Sequence, residues 1–121
     1  TINAVREQFP ERRLVACMEL HTFSSLSLGF LQEYRDSMNE ADCAVVFYSR
    51  HALELKRLPV FEIKDVKEAF NRVDILTFND KPSLEHYLLS EHWENAVLLM
   101  MSSGNFEGLD LKELAETIVS R

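Results

Sequence analysis

The sequence is short of basic residues. It has 13 Lys and Arg against 20 Asp and Glu, which gives a formal net charge of −7 at pH 7. An acidic chain is a poor match for nucleic acid or for an anionic membrane surface. Long apolar runs are also missing, since none approaches the roughly 20 residues that a membrane span needs. We therefore expect neither a nucleic-acid nor a membrane partner.

Cysteine is scarce as well, with two in 121 residues. Cys17 and Cys43 lie in apolar stretches without CxxC spacing, so a disulfide or redox pair is the less favoured interpretation. Two buried thiols are typical of a reducing compartment, and we expect a cytoplasmic protein. The sequence has no Walker-type phosphate loop, no GxGxxG motif and no HExxH motif. His86 and His92 are six residues apart and do not share a helix face, so no metal site is predicted.

What is present is an alternation of short apolar runs with helical stripes. Alternation of this kind predicts an α/β fold, a three-layer Rossmann-like domain with a mainly parallel sheet and helices on both faces. We expect about four strands in the order 3-2-1-4. The predicted strands are 14–18, 43–48, 75–78 and 96–101. The predicted helices are 1–9, about 26–41, near 51–56, around 66–73, from Asp80 onward, and 111–119.

Two polar loops follow the first and fourth predicted strands. In the order 3-2-1-4 these strands are neighbours, and the chain reverses direction across the sheet between them. Open α/β sheets bind ligands in the crevice outside the carboxyl ends of strands at such a point. The lips of the crevice would be residues 19–25 and 102–108. The candidate ligand-binding residues are Glu19, His21, Thr22, Ser24, Ser102, Ser103, Gly104 and Asn105.

Each lip has a chemical interpretation and a structural one. His21 could hydrogen-bond a substrate or phosphate, and Glu19 could pair with a cation or coordinate a metal. Small residues in 102–108 let the backbone approach a ligand, and the following helix offers N–H groups to an anion. The structural alternatives are a satisfied loop histidine, a strand-end carboxylate that points to solvent, and an ordinary turn between strand and helix. Both interpretations stay open.

The start of the chain also carries information. Thr1 is not an initiator methionine, and Ile2, Val5 and Phe9 are already at helical spacing before Pro10 ends the helix. We therefore expect a domain that belongs to a longer protein.

The loop after the fourth strand carries a family resemblance. The chain resembles the C-terminal domain of the Mur ligase family, the ATP-dependent amide ligases of peptidoglycan assembly. The resemblance covers nearly the whole chain and is strongest at the first strand with its loop and at 98–114. A pattern like MSNGGFGG is typical of the murein peptide ligase branch. This sequence follows it at Met101, Ser102, Gly104, Phe106 and Gly108.

The loop after the first strand is intermediate between two branches. Glu19 matches the EPRSNT-like loop of the peptide-joining branch, with His21 in place of the arginine. His21 and Phe23 match the PHRYTRT-like loop of the alanine-adding branch, but Thr22 and Ser25 stand where arginines are expected. The loop after the fourth strand decides in favour of the peptide-joining branch.

The resemblance implies that residues 1–121 are one acceptor-binding domain of a three-domain enzyme. It implies a full-length ligase that joins a peptide or an amino acid to UDP-N-acetylmuramate through an acyl phosphate, in peptidoglycan recycling or biosynthesis. ATP and Mg²⁺ would bind mainly on the two other domains. The chain alone is expected to be inactive, with no catalytic residue of its own. Its share would be to orient the acceptor through Glu19, His21, Ser24 and the backbone of 102–105.

Three alternatives remain beside the peptide ligase. The first is a UDP-N-acetylmuramate–L-alanine ligase. The second is a related ligase with an acceptor outside peptidoglycan, such as a folylpolyglutamate-type enzyme. The third, of another class, is a stand-alone α/β ligand-binding or regulatory module. The sequence does not predict an oligomeric state.

Overall fold

The computed structural model describes residues 1–20, 32–57, 62–102 and 104–120 of the protein. It confirms the α/β fold with one four-stranded parallel sheet in the order β3-β2-β1-β4. The strands are β1 (Arg13–Leu20), β2 (Cys43–Tyr48), β3 (Leu76–Phe78) and β4 (Ala96–Met101). The helices are α1 (Ile2–Gln8), α2 (Arg50–Leu55), α3 (Ile63–Phe70), α4 (Lys81–Ser90) and α5 (Leu111–Val119), with short 3₁₀ helices at Gln32–Tyr34 and Phe106–Gly108.

Strand β1 lies at the centre of the described sheet. It pairs with β2 in the register Cys17–Val45 and with β4 in the register Met18–Met101. Four of its eight residues are completely or almost completely buried in an unbroken run, as a parallel strand covered on both faces requires. Strand β4 has β1 as its partner among the described residues, and all six of its residues are only half-buried.

The sheet separates two apolar layers, because successive strand residues point to opposite faces. Leu14 and Ala16 pack with residues of α1, α2 and α3. Val15 and Cys17 pack with Leu84, Leu88 and Leu114 of α4 and α5. The three layers predicted from the sequence are therefore confirmed, and the layer under α4 and α5 is the one that Glu19 enters.

Three helices that follow strands in the chain begin at a side-chain cap, α2 and α4 shortly after β2 and β3, and α5 after the loop that follows β4. Ser49, Asp80 and Asp110 accept hydrogen bonds from the backbone N–H three residues later, at 3.1, 2.9 and 3.0 Å. Such caps satisfy N–H groups that have no partner within the helix. The helix starts at the carboxyl edge of the sheet are fixed in this way.

The helix predicted over about 26–41 is wrong for its described part. Residues 32–41 form the 3₁₀ helix followed by turns. Asp36 has a left-handed backbone, with φ of 61°, which an α-helix of L-residues does not accommodate. Arg72 donates to the carbonyls of Met38 and Ala41 at 2.7 and 2.8 Å, so tertiary contacts override the apolar spacing.

Two smaller boundaries also differ from the prediction. Helix α3 ends at Phe70 because Asn71 adopts the left-handed conformation of a helix C-cap. Val73, which was expected to extend the helical stripe, is instead 88% exposed. Strand β1 runs two residues beyond the predicted end, so it includes Glu19.

In the part of the chain that the structure describes, none of the helices is both long and apolar enough to span a membrane.

Candidate functional site

The ends of β1 and β4 meet through one carboxylate. Glu19 Oε1 accepts hydrogen bonds from the hydroxyl of Ser102 and from the backbone N–H of Phe106, the second at 2.9 Å. Ser102 follows directly after β4, and the register Met18–Met101 brings it beside Glu19. The predicted order 3-2-1-4 and the meeting of the two strand ends are confirmed by these contacts. The end of β1 and the loop 102–108 thus meet where the sequence predicts one edge of a ligand crevice, and we call this place the crevice edge.

The loop 102–108 also contains hydrogen bonds between its own residues. Ser102 Oγ accepts from the N–H of Gly104 at 2.7 Å while donating to Glu19. Asn105 Oδ1 accepts from the N–H of Gly108 at 3.2 Å. These bonds use polar groups of the loop for its own shape. We name the set of bonds among Glu19, Ser102, Gly104 and Phe106 the loop clasp.

The second half of the loop has an uncommon backbone. Phe106, Glu107 and Gly108 have φ of 53°, 58° and 85°, three successive left-handed residues. This conformation costs L-residues other than glycine roughly 1–2 kcal/mol each. The ring of Phe106 is buried, with its centroid 6.0 Å from that of Phe47. Burial of this ring and the bonds of the loop clasp hold the strained conformation in place.

The predicted site residues divide into three groups. Ser102, Gly104 and Asn105 are exposed in the loop, where a ligand can reach them. Glu19 is buried, with 6% of its surface exposed, so the alternative of a carboxylate pointing to solvent is wrong. His21, Thr22, Ser24 and Ser103 lie outside the described residues.

The sequence analysis did not identify Phe106 as a hydrogen-bond partner of Glu19. A usable signal was present in β1, where Val15, Cys17 and Glu19 alternate on one face. A carboxylate on a face that is otherwise apolar requires hydrogen-bond donors, because an unpaired buried charge is costly. That reasoning predicts donors for Glu19 but does not identify them.

The two cysteines are free thiols. Cys17 is buried as expected, and burial, followed by the nearby charge of Glu19, raises the pKa of its thiol. Cys43 is only half-buried, and its Sγ lies 3.5 Å from the hydroxyl of Tyr87. Burial, with the contact to Cys43 next, raises the pKa of Tyr87. Thiols that are hard to ionise are poor nucleophiles, so Cys17 is a packing residue.

An apolar groove of about 730 Å³ lies apart from the crevice edge, along β4 and α5. Trp93, Leu98, Met100 and Ile118 are among its lining residues, and Arg12 and Glu94 contribute charge. The groove follows from the half-buried state of β4 at one end of the described sheet. Of the two polar loops, none of the described residues (19–20, 102 and 104–108) lines this groove, so its volume does not locate the site predicted from the sequence.

Within the described ranges, no group of three or more His, Cys, Asp or Glu side chains is arranged to hold a metal ion. The carboxylate at the crevice edge, Glu19, accepts hydrogen bonds from protein groups instead.

Fold and site together define a class: a parallel α/β domain with a structured loop at the point where its strand order reverses. Comparison with curated proteins adds detail. The chain is 26% identical over 111 residues to the UDP-N-acetylmuramate–L-alanine ligase of Streptococcus gordonii, covering 88% of this chain and 23% of that protein. It is also 26% identical over 115 residues to the ligase of the same name from two strains of Streptococcus suis, covering 91% and 24%.

These similarities support a place in the Mur ligase family. The chain spans about a quarter of the length of the curated relatives it matches. No protein-family model matches the chain, and no solved structure matches it.

Proposed function

We propose that the chain is the C-terminal, acceptor-binding domain of an ATP-dependent amide ligase of the Mur family. The observation that carries this proposal is the loop clasp, which joins the end of β1 to the loop after β4. These are the two stretches with the strongest resemblance to the family. Similarity to UDP-N-acetylmuramate–L-alanine ligases along about nine-tenths of the chain supports the proposal.

In this proposal the full-length enzyme activates the carboxyl group of UDP-N-acetylmuramate as an acyl phosphate at the expense of ATP. The amine of the acceptor then attacks the activated carbonyl. The domain contributes by holding the acceptor in position, and positioning of this kind supplies a large part of many enzymatic accelerations. The proposed acceptor-binding residues are Glu19, His21, Thr22, Ser24, Ser102, Ser103, Gly104 and Asn105.

Two acceptors have support from different observations. The loop after β4 follows the peptide-joining pattern at Met101, Ser102, Gly104, Phe106 and Gly108, which favours the peptide L-alanyl-γ-D-glutamyl-meso-diaminopimelate. The curated relatives are named for L-alanine, which favours the amino acid. We keep the peptide as the first candidate and L-alanine as the second.

The other substrates are assigned to other parts of the enzyme. We propose that ATP, Mg²⁺ and UDP-N-acetylmuramate bind mainly on two further domains and that the enzyme works in the cytoplasm. The chain by itself is then expected to lack activity, because it supplies one of the three domains.

The test is release of ADP by the full-length protein in the presence of UDP-N-acetylmuramate and magnesium ATP. One reaction receives L-alanine, a second receives the tripeptide, and a third receives no acceptor. We expect turnover with the tripeptide that exceeds the reaction without acceptor. Turnover with L-alanine only would transfer the protein to the alanine-adding branch.

Absence of turnover in all three reactions would contradict the ligase proposal. A stand-alone binding or regulatory module would then be favoured. The native chain around this domain offers an independent check. A ligase requires a preceding domain with a phosphate-binding loop, whereas a stand-alone module does not.

A further inference from the structure

The buried carboxylate at the crevice edge has a more specific role than ligand binding. We propose that Glu19 is a positioning residue, which fixes the loop 102–108 so that the exposed groups of this loop meet the acceptor. This inference rests on the proposed function. It moves Glu19 out of the group of residues that contact substrate and leaves Ser102, Gly104 and Asn105 in that group.

The first reason is the accessibility of Glu19. Only 6% of its surface is exposed, and it lies on the face of β1 that carries Val15 and Cys17. A charge in such a layer is stable only where protein groups replace its hydration. The N–H of Phe106 and the hydroxyl of Ser102 do this at Oε1.

The second reason is how the bonds are distributed along the loop. The donors to Oε1 are four residues apart, at Ser102 and Phe106. Ser102 Oγ in turn accepts a hydrogen bond from the N–H of Gly104 at 2.7 Å, which fixes a third residue of the loop. One carboxylate therefore determines the position of the loop at three points. Hydrogen bonds to a charged acceptor are about twice as strong as neutral ones, which suits a residue that must hold a loop.

The third reason is the strain that the clasp holds. Phe106 and Glu107 are left-handed residues with side chains, and such conformations persist only where their surroundings determine them. The bond from Phe106 N–H to Glu19 falls at the first of these two residues. Removal of the carboxylate is expected to let the loop relax. The groups exposed toward the acceptor would then move.

The experiment uses three variants of the full-length protein. Glu19→Met keeps the length of the side chain in an apolar layer but removes the acceptor oxygens. Glu19→Gln keeps one neutral acceptor oxygen. Ser102→Ala removes one donor to Oε1 and, with it, the acceptor of the Gly104 N–H. KM for the acceptor, KM for ATP and kcat are measured for each, together with amide hydrogen exchange of the peptide that contains 102–108.

We expect Glu19→Met to raise the KM of the acceptor and to lower kcat/KM for the acceptor by up to about 100-fold, since a displacement near 1 Å can cost this much in the rate of a positioned reaction. Glu19→Gln should raise this KM by less than about fivefold, because a neutral oxygen still accepts both bonds. The KM of ATP should stay within about twofold of wild type. Exchange in the 102–108 peptide should quicken in Glu19→Met. Exchange in this peptide should also quicken in Ser102→Ala, because this variant removes one donor to Oε1 and the acceptor of the Gly104 N–H.

Direct contact between Glu19 and the acceptor gives a different pattern. Gln and Met would then be equally damaging, and exchange of the loop would not change in Glu19→Met. This pattern would overturn the inference.

The chain also offers a matched control in Asp80. Its carboxylate likewise accepts from a backbone N–H and a serine hydroxyl, both of Ser83 and both at 2.9 Å, but at the start of α4. Asp80→Leu should lower the temperature of thermal unfolding through loss of the helix cap, and leave the KM of the acceptor unchanged. An equal rise in KM would show that any loss of stability at this edge impairs binding, and would overturn the specific role of Glu19.

The failure of the proposed function can be told apart from failure of this inference. A wild-type protein that uses neither acceptor refutes the ligase proposal. Hydrogen exchange then tests Glu19 independently of activity. Faster exchange of 102–108 in Glu19→Met would show that Glu19 fixes the loop, and unchanged exchange would refute that role.

Discussion

We call the side of the sheet where its parallel strands end the carboxyl edge, and the side where they begin the amino edge. A charged side chain accepts hydrogen bonds at the first and donates them at the second. At the carboxyl edge, Glu19 accepts from donors of the 102–108 loop. At the amino edge, Arg72 donates to the carbonyls of Met38, Ala41 and Asp42 at 2.7, 2.8 and 3.1 Å. Each charged side chain holds one irregular segment. What differs is the conformation that each segment adopts.

Left-handed residues illustrate this difference. At the amino edge they include Asp36, Asn71 and Asn95, which are residue types that tolerate the conformation, and Asn71 donates to Asp36 at 3.0 Å. At the carboxyl edge they include Phe106 and Glu107, which are residue types that seldom adopt it. Two successive residues of types that seldom adopt this conformation therefore lie at the edge where ligands are expected, and a third such residue, Arg57, follows α2.

The largest effect that separates the edges is expected at Arg72. Arg72→Met removes the donors of three backbone carbonyls and should lower the free energy of unfolding by roughly 2 kcal/mol or more. The KM of the acceptor should not change in the full-length protein, because the loop 102–108 lies at the other edge. Urea unfolding and steady-state kinetics measure the two quantities.

Arg50→Met is the matched control for Arg72. Arg50 forms an exposed pair with Glu54 one helical turn away, at 3.7 Å. Loss of such a pair should change stability by no more than about 0.5 kcal/mol. If Arg72→Met is as mild as this control, the amino edge does not depend on Arg72.

An exchange of left-handed residues is expected to give a smaller effect. Glu107→Asn should stabilise the protein by a few tenths up to about 1 kcal/mol, because asparagine tolerates a φ of 58° better than glutamate. Asn71→Glu should destabilise it by about 1 kcal/mol or more, since it also loses the bond to Asp36. Thermal unfolding of both variants is the measurement. Equal changes of the same sign in the two variants would show that Glu107 is no more strained than Asn71.

The smallest effect is expected on acidification, and it belongs to the amino edge. Three carboxyl groups have a lowered pKa because each accepts a side-chain hydrogen bond. Asn71 donates to Asp36, Arg6 donates to Asp42, and Arg72 donates to Asp74. A carboxyl group with a lowered folded-state pKa contributes stability above its ordinary pKa of about 3.9 and loses it as pH falls through the folded value. Stability should therefore decline below about pH 4.

Asp42→Asn tests the acid dependence. Asp42 accepts from Arg6 at 2.6 Å and from the N–H of Leu14 at 2.7 Å, and its side chain is 48% exposed, so its share is small. The variant should be less stable than wild type at pH 6 and should lose less stability between pH 6 and pH 3. Parallel curves for the two proteins would assign the acid dependence to other groups.

The fold was predictable because its signals are local. Apolar runs such as 43–48 and helix starts such as Asp80 carry their own patterns, and short connections restrict the order of the strands. The prediction of a helix over 32–41 was wrong because Arg72, which is distant in sequence, donates hydrogen bonds to the carbonyls of Met38 and Ala41. The apolar spacing of 32–41 gives no sign of these contacts. The burial of Glu19 was missed for the same reason, since its donors lie more than 80 residues away.

The reactivity of the buried thiol of Cys17 can report how often the protein opens locally. Alkylating reagents attack the thiolate, and both burial and the nearby charge of Glu19 disfavour that form by raising the pKa of Cys17. Modification of Cys17 must then wait for the layer between the sheet and helices α4 and α5 to open. Since Cys17 lies two residues before Glu19 on the same face of β1, the rate of its alkylation records how often this part of the molecule comes apart.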